Sequence, residues 1–186
     1  MIDHGAVRLS PYVKSLRQRL FDWMNDAPTR RAAGEYRPLS EPEFDHWLAG
    51  MTAGRDRVLL IVAERATMTP AGFCALTDIN PLHRRARLSI AIDPAMRRRG
   101  LGGDAVTALT RHAFLDLGLE RLSLDTPAGN AAAIRLYERR GFRREGVWRR
   151  HFLIDGDFHD AVAMAILRDE FAAPAGALSL NDGTRP

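Results

Sequence analysis

Cysteine is nearly missing from this chain: Cys74 is the only one among 186 residues. A lone thiol excludes an internal disulfide and the stapled scaffolds of small secreted domains, so a reducing cytoplasm is the simplest compartment. Its neighbours Gly72-Phe73-Cys74-Ala75-Leu76 are apolar, which points to a buried structural thiol rather than a nucleophile. Lysine is as scarce, with Lys14 standing alone, so the formal charge of +4 is carried almost wholly by arginine. That excess favours acidic ligands, but it is not clustered and interleaved with aromatics, so nucleic acid is not an expected partner. No apolar run approaches a membrane span, and Met1-Ile2-Asp3-His4 has neither the basic start nor the apolar core of a secretory leader. Neither a membrane nor a leader is expected. His151 and His159 lack the cysteine or HxxxH company of metal ligands, so they read as surface or turn histidines and no metal is expected.

What is present is a chain long enough for one packed domain and short for two. Residues 6–9 suggest a first strand ended at Ser10-Pro11. Val13, Leu16, Leu20, Phe21 and Met24 recur at spacings of three and four, which predicts an amphipathic helix over 12–24. Residues 25–39, rich in Asn, Asp, Pro, Gly and Arg, read as a loop. Ser40 then caps a helix carrying Phe44, Trp47, Leu48 and Met51. Short apolar runs at 58–63, 72–77 and 87–92, separated by turns, predict an antiparallel meander. A helix over 102–117 should bury Val106, Leu109, Ala113, Phe114 and Leu117, with Gly118 as its stop. A strand over 122–124 breaks at 126–129, and Asn130 caps a short helix with Ala133, Ile134, Leu136 and Tyr137. Residues 142–154 and 158–167 flank Asp155-Gly156-Asp157 as a hairpin. The domain is expected to occupy 1–171, with 172–186 a disordered tail. The order of elements gives an α+β fold.

The stretch Arg97-Arg98-Arg99-Gly100-Leu101-Gly102-Gly103 lies between the strand at 88–92 and a helix. Strand, glycine turn and helix together present unpaired N–H groups and a positive helix end to an anion. Glycine lets the main chain approach closely, and guanidinium forks match phosphate oxygens. A tight connection with no ligand would carry the same pattern.

About thirty residues later comes Asn130-Ala-Ala-Ala-Ile134-x-Leu136-Tyr137-x-x-x-Gly141-Phe142. The two motifs, in this order and context, resemble the GNAT superfamily of acyl-CoA-dependent N-acetyltransferases over residues 6–170. Within it they are most similar to the branch of ribosomal-protein N-terminal acetyltransferases and small-amine acetyltransferases. The resemblance implies a largely antiparallel central sheet flanked by helices, with a splayed strand pair that binds acyl-CoA. It implies that Arg97, Arg98, Arg99, Gly100, Leu101, Gly102 and Gly103 hold the coenzyme A pyrophosphate, and that the pantetheine pairs along Ile90, Ala91 and Ile92. A backbone N–H there would polarise the thioester carbonyl. By the same resemblance Asn130 contacts the coenzyme arm, and Tyr137 sits near the sulfur and protonates the departing thiolate.

Each of these residues also has a plainer reading: Tyr137 as a core aromatic, Asn130 as a helix cap alone. Relatives place a glutamate on the strand before the phosphate turn, where this chain has Arg87, or five residues before the Asn, where it has Asp125. Asp125 is the expected aid to amine deprotonation, though a strand-end turn cap fits it equally; Asp78 and His83 are weaker candidates. The implied activity is transfer of an acetyl group from acetyl-CoA, as cosubstrate, to a primary amine of a protein N-terminus or a small molecule, by direct attack in a ternary complex. A non-catalytic acyl-CoA-binding module is the alternative. Association into a homodimer is left open.

Overall fold

The computed structural model describes residues 1–35 and 37–171. The expected tail, 172–186, lies outside the described residues. Eight strands form one sheet in the order β1-β2-β3-β4-β5-β6-β8-β7. The first five, β1 (Ile2–His4), β2 (Val7–Pro11), β3 (Val58–Glu64), β4 (Pro70–Asn80) and β5 (Arg85–Ile92), make an antiparallel meander. β6 (Arg121–Pro127) joins β5 in parallel, and β8 (Asp157–Leu167) lies between β6 and the edge strand β7 (Arg143–Ile154). The β7–β8 hairpin turns on Asp155-Gly156, both at positive φ, as a two-residue hairpin turn requires.

Alternation along the strands divides the core between the two faces. Leu60, Val62, Cys74, Leu76, Ala86 and Leu88 pack with helix α4 (Leu101–Arg111) and with α5 (Ala131–Arg139) on one face. Leu59, Ile61, Phe73 and Ala75 meet α1 (Arg17–Asn25) and α3 (Glu41–Ala53) on the other, through Leu20, Trp23, Phe44, Leu48 and Met51. Cys74 is fully buried, and burial pushes its thiol up, away from the reactive thiolate.

The fold departs from the sequence expectations in five places. The segment 25–39 read as loop contains a helix, α2 (Ala27–Ala33): Asp26 caps it by accepting from Thr29 N at 2.9 Å, Pro28 stands in its first turn, and Gly34 ends it in the left-handed region. Its flanking cap residues are what made it read as a loop. The helix expected over 12–24 begins later, because β2 runs to Pro11; Val13 is extended and exposed, and a 3-10 turn at Lys14–Leu16 leads into α1. The helix expected over 102–117 changes to a π turn at His112–Asp116, where Leu117 N donates to His112 O at 3.0 Å, and this leaves Leu117 exposed rather than in the core. β6 runs through Thr126-Pro127 instead of stopping, since on one side it has no partner there and a missing N–H costs nothing. The short β1 was not foreseen.

β4 packs tightly on β5 at Gly72, whose φ is +150° and whose Cβ, were there one, would stand 2.2 Å from Ala91 O. Gly72→Ala should therefore cost about 1–3 kcal/mol or more, as overpacking and backbone strain do, and lower Tm. Gly146→Ala, with no atom within 4 Å of the added carbon, should melt close to wild type. Equal melting of the two would show that this contact is not tight.

Candidate active site

β5 and β6 pair only at Arg85–Arg121, Ala86–Leu122 and Arg87–Ser123. Beyond that the strands part. β5 keeps its pairing with β4 out to Ile92, and β6 keeps its pairing with β8 out to Pro127. From Leu88 to Ile92 the main chain of β5 thus has no strand on the β6 side, and an extended ligand can pair there. Ile90, Ala91 and Ile92 all lie on this half-buried prong.

At the tip of the prong Asp93 caps the turn Pro94–Met96 and accepts from Trp23 Nε1 at 2.9 Å, which ties α1 to the end of β5. The chain then enters α4 through Gly100 at φ +81°. Among the described residues the N–H groups of Arg98, Arg99, Gly100, Leu101 and Gly102 find no acceptor, and Gly103 and Asp104 donate back to Gly100 O at 3.0 and 3.2 Å. Five successive open donors at a helix N-terminus form an anion cradle.

The three arginines at this turn differ. Arg97 turns aside: its guanidinium donates to Ile92 O at 3.1 Å and to Thr29 Oγ1 of α2 at 2.7 Å, with Asp26 at 3.8 Å. Arg99 reaches Glu64 at 3.2 Å. Arg98, at φ +62°, makes no hydrogen bond or ion pair with a described residue. The glycines inside α4 serve packing: a Cβ on Gly102 would lie 3.3 Å from Leu136 of α5, and one on Gly103 would collide with Arg140, which follows α5.

α5 forms the other wall. Asn130 caps it, accepting from Ala133 N at 3.2 Å, while its amide nitrogen donates to Ala32 O of α2 at 3.2 Å. Tyr137 is buried against Phe142, ring centroids 5.7 Å apart, and its hydroxyl bonds to no described residue. Burial, and then the charge of Asp125, push the phenol up to about 12. It keeps its proton at neutral pH and is a donor.

At the crotch of the fork, Arg87 and Asp125 form an ion pair. The Asp125 side chain is only 7% exposed, and its other oxygen, Oδ2, faces His151 Nε2 at 3.9 Å. Asp125 lies on β6 just past its pairing with β5, and the role expected of it competes with a guanidinium. Asp78 lies in the irregular last stretch of β4 and His83 on the turn that follows; Asp78, with Arg85, Arg87 and Ser123, lines a cavity of about 460 Å³. Two features carried no local signal. One is α2, which gathers Arg97 and Asn130 from sites far apart in sequence. The other is His151, whose partner is 26 positions away and on a strand that is not its neighbour.

No group of three or more His, Cys, Asp or Glu placed to hold a metal occurs among the described residues, and no described helix is long and apolar enough to cross a membrane. Such a parted sheet, with a cradle of open N–H groups on one prong, matches the fold of acyl-group transferases. The chain belongs to the GNAT acetyltransferase family: residues 7–143 match the family described as acetyltransferase (GNAT) domain. It is similar to the spermidine N(1)-acetyltransferase of Escherichia coli K12, 34% identical over 103 residues, 55% of either chain. It is also similar to the [ribosomal protein bS18]-alanine N-acetyltransferase of the same strain, 38% identical over 95 residues, 50% of this chain and 61% of that one. These matches span little more than half the length of the relatives. Among solved structures, the spermidine N-acetyltransferase of Vibrio cholerae in complex with CoA and spermine superposes with a TM-score of 0.84 at 23% identity, covering 89% of this chain and 97% of that one.

The phenol can be checked without any ligand. Tyr137 should titrate close to pH 12 in a ¹³Cζ spectrum, and Asp125→Asn should bring its midpoint down. A Tyr137 that titrates near pH 10, where a free phenol does, would mean that the ring is open to solvent.

Proposed function

We propose that this protein transfers an acetyl group from acetyl-CoA to a primary amine, by direct attack within a ternary complex. The observation that carries the reading is the fork: an unpaired prong of β5 leads to a cradle of open N–H groups and faces a protonated, buried phenol. The cradle fits the pyrophosphate of coenzyme A. Arg98, beside it and without a partner among the described residues, adds a cation, while Gly100, with open space where a Cβ would stand, keeps a side chain out of the way. Leu88–Ile92 pair the pantetheine arm, and one of their N–H groups polarises the thioester carbonyl. Asn130 meets the arm from the α5 side. As the nitrogen–carbon bond forms and the carbon–sulfur bond breaks, Tyr137 gives its proton to the thiolate and regains one from the attacking nitrogen. The ammonium must first lose a proton, and Asp125 supplies the carboxylate on that side. The buried, unreactive Cys74 offers no covalent route.

The relatives' printed acceptors are a polyamine and a protein N-terminus, and both belong to the primary amines proposed here. The cavity beside the fork favours the peptide-like acceptor, because Arg85 lines it with no ion pair to a described residue while Arg87 is held by Asp125, and that guanidinium opposes a polycation more than a singly charged peptide. An alanyl peptide should then give a higher kcat/KM than spermidine, and added salt should raise the rate with spermidine. A non-catalytic acyl-CoA-binding role is separated from this reading by thiol release with either amine. We further propose a cytoplasmic enzyme, consistent with its single, buried thiol, and a homodimer through the open edge of β7, which gel filtration reads.

Replacing Tyr137 by Phe should lower kcat by about 10²–10⁴-fold, the usual worth of general acid catalysis, with little change in the thermal shift given by CoA. Near-full turnover would return Tyr137 to core packing. Arg98→Ala should weaken CoA by roughly ten- to a hundredfold, as loss of a charged hydrogen bond worth about 1.5–3 kcal/mol does. Arg99→Ala should weaken it less, since Arg99 is already paired. Equal effects would remove Arg98 from the cradle.

A further inference from the structure

The proposed reaction needs an acceptor for the ammonium proton, and Asp125 is poorly placed to be that acceptor itself. Oδ1 is taken by Arg87, Oδ2 faces His151, and the side chain is 7% exposed. The His151 side chain, at the outer end of this chain of groups, is 42% exposed.

The backbone is shaped for this. β7 and β8 lose register between Trp148 and Phe152, where four steps on β7 match two on β8. The surplus is taken up by a bulge in which Arg150 is at φ +50° and its N–H donates to Asp160 Oδ1 at 2.8 Å. Bulges re-aim side chains and are frequent beside active sites. Here His151 is turned back over β8 toward β6. The residues it must cross are small: Ala161 opposite Trp148, and Ala163 opposite Asp125. Trp148 and Phe152 hold the imidazole from both sides, each ring centroid 4.8 Å away.

We propose that His151 takes the proton from the attacking amine, with Asp125 as its positioning residue. This rests on the acetyltransferase reading above and names the base within it. With Nε2–H directed at Asp125, over a gap that one water or a small ring rotation closes, Nδ1 carries the lone pair that receives the proton. One ammonium proton leaves through His151 to solvent; the second ends on the coenzyme thiol by way of Tyr137. Arg87 holds Asp125 from behind. The other charged or titratable groups around the imidazole are Arg149 and Arg150 on β7, and His159 and Asp160 on β8, with Asp160 engaged by the Arg150 N–H. Beyond them, at the hairpin tip, Arg31 of α2 pairs with Asp155 at 2.7 Å.

The test is a pair of measurements on the full chain. In the first, kcat/KM for the better of spermidine and an alanyl peptide is followed from pH 6 to pH 10 for wild type, His151→Gln and Asp125→Asn. His151→Gln should keep the thermal shift given by CoA and lose about 10²-fold or more near neutral pH. The deficit should close as pH rises toward the pKa of the amine, because free amine then needs no base. A deficit that is constant across pH, or no deficit, overturns the proposal. In the second, ¹⁵N spectra of the imidazole read the tautomer with no turnover. An Nε2–H tautomer in wild type that is lost in Asp125→Asn supports the positioning role; a tautomer indifferent to that change overturns it, even in an active enzyme. Wild-type thiol release judges the acetyltransferase reading separately.

Discussion

The parting of β5 and β6 is the constraint from which the rest of this structure follows. Each strand is satisfied on its outer side, β5 by β4 and β6 by β8, so neither can follow the other once they diverge after Arg87 and Ser123. The inner main-chain groups of β5 beyond Arg87 are left without a partner among the described strands. Everything chemical gathers around that gap. The anion cradle continues one prong, α5 with Tyr137 lines the other side, and Arg87 and Asp125 meet at the crotch.

Helix α2 binds the two walls together. Arg97 from the cradle donates to Thr29, Asn130 from α5 donates to Ala32, and Arg31 reaches Asp155 at the tip of the β7–β8 hairpin. Three segments that carry candidate site residues are therefore held by one short helix, and none of these contacts is local. The same helix draws Arg97 away from the cradle, while Arg98 has no partner among the described residues, a difference between adjacent arginines that their shared residue type conceals.

The meander, the capped helix after Ser40 and the Asp-Gly hairpin were legible because each is specified by local rules: alternation, capping chemistry and turn residues at fixed offsets. Helix α2 was not, since its few residues are bounded by Asp26, Pro28 and Gly34, which serve equally in loops. Leu117 misled because periodicity assumes a uniform helix, and the π turn before it rotates the following side chains. Of the site, the cradle and Tyr137 stand on short contiguous motifs, and their places at the fork follow from strand–turn–helix order. Asp125 was legible as a position but not as a partner of Arg87.

By itself, the sequence determined most of the elements, though not α2 or β1, and with them the glycine turn, the one buried thiol and the resemblance to a family, all of which rest on residues near one another along the chain. Only the tertiary structure decided which groups face each other. His151 meets Asp125 because β8 inserts between β6 and β7, because a bulge turns the ring, and because Ala161 and Ala163 leave room beneath it. Strand order and register across a sheet are set by the packing of the whole core, and no local spacing encodes them.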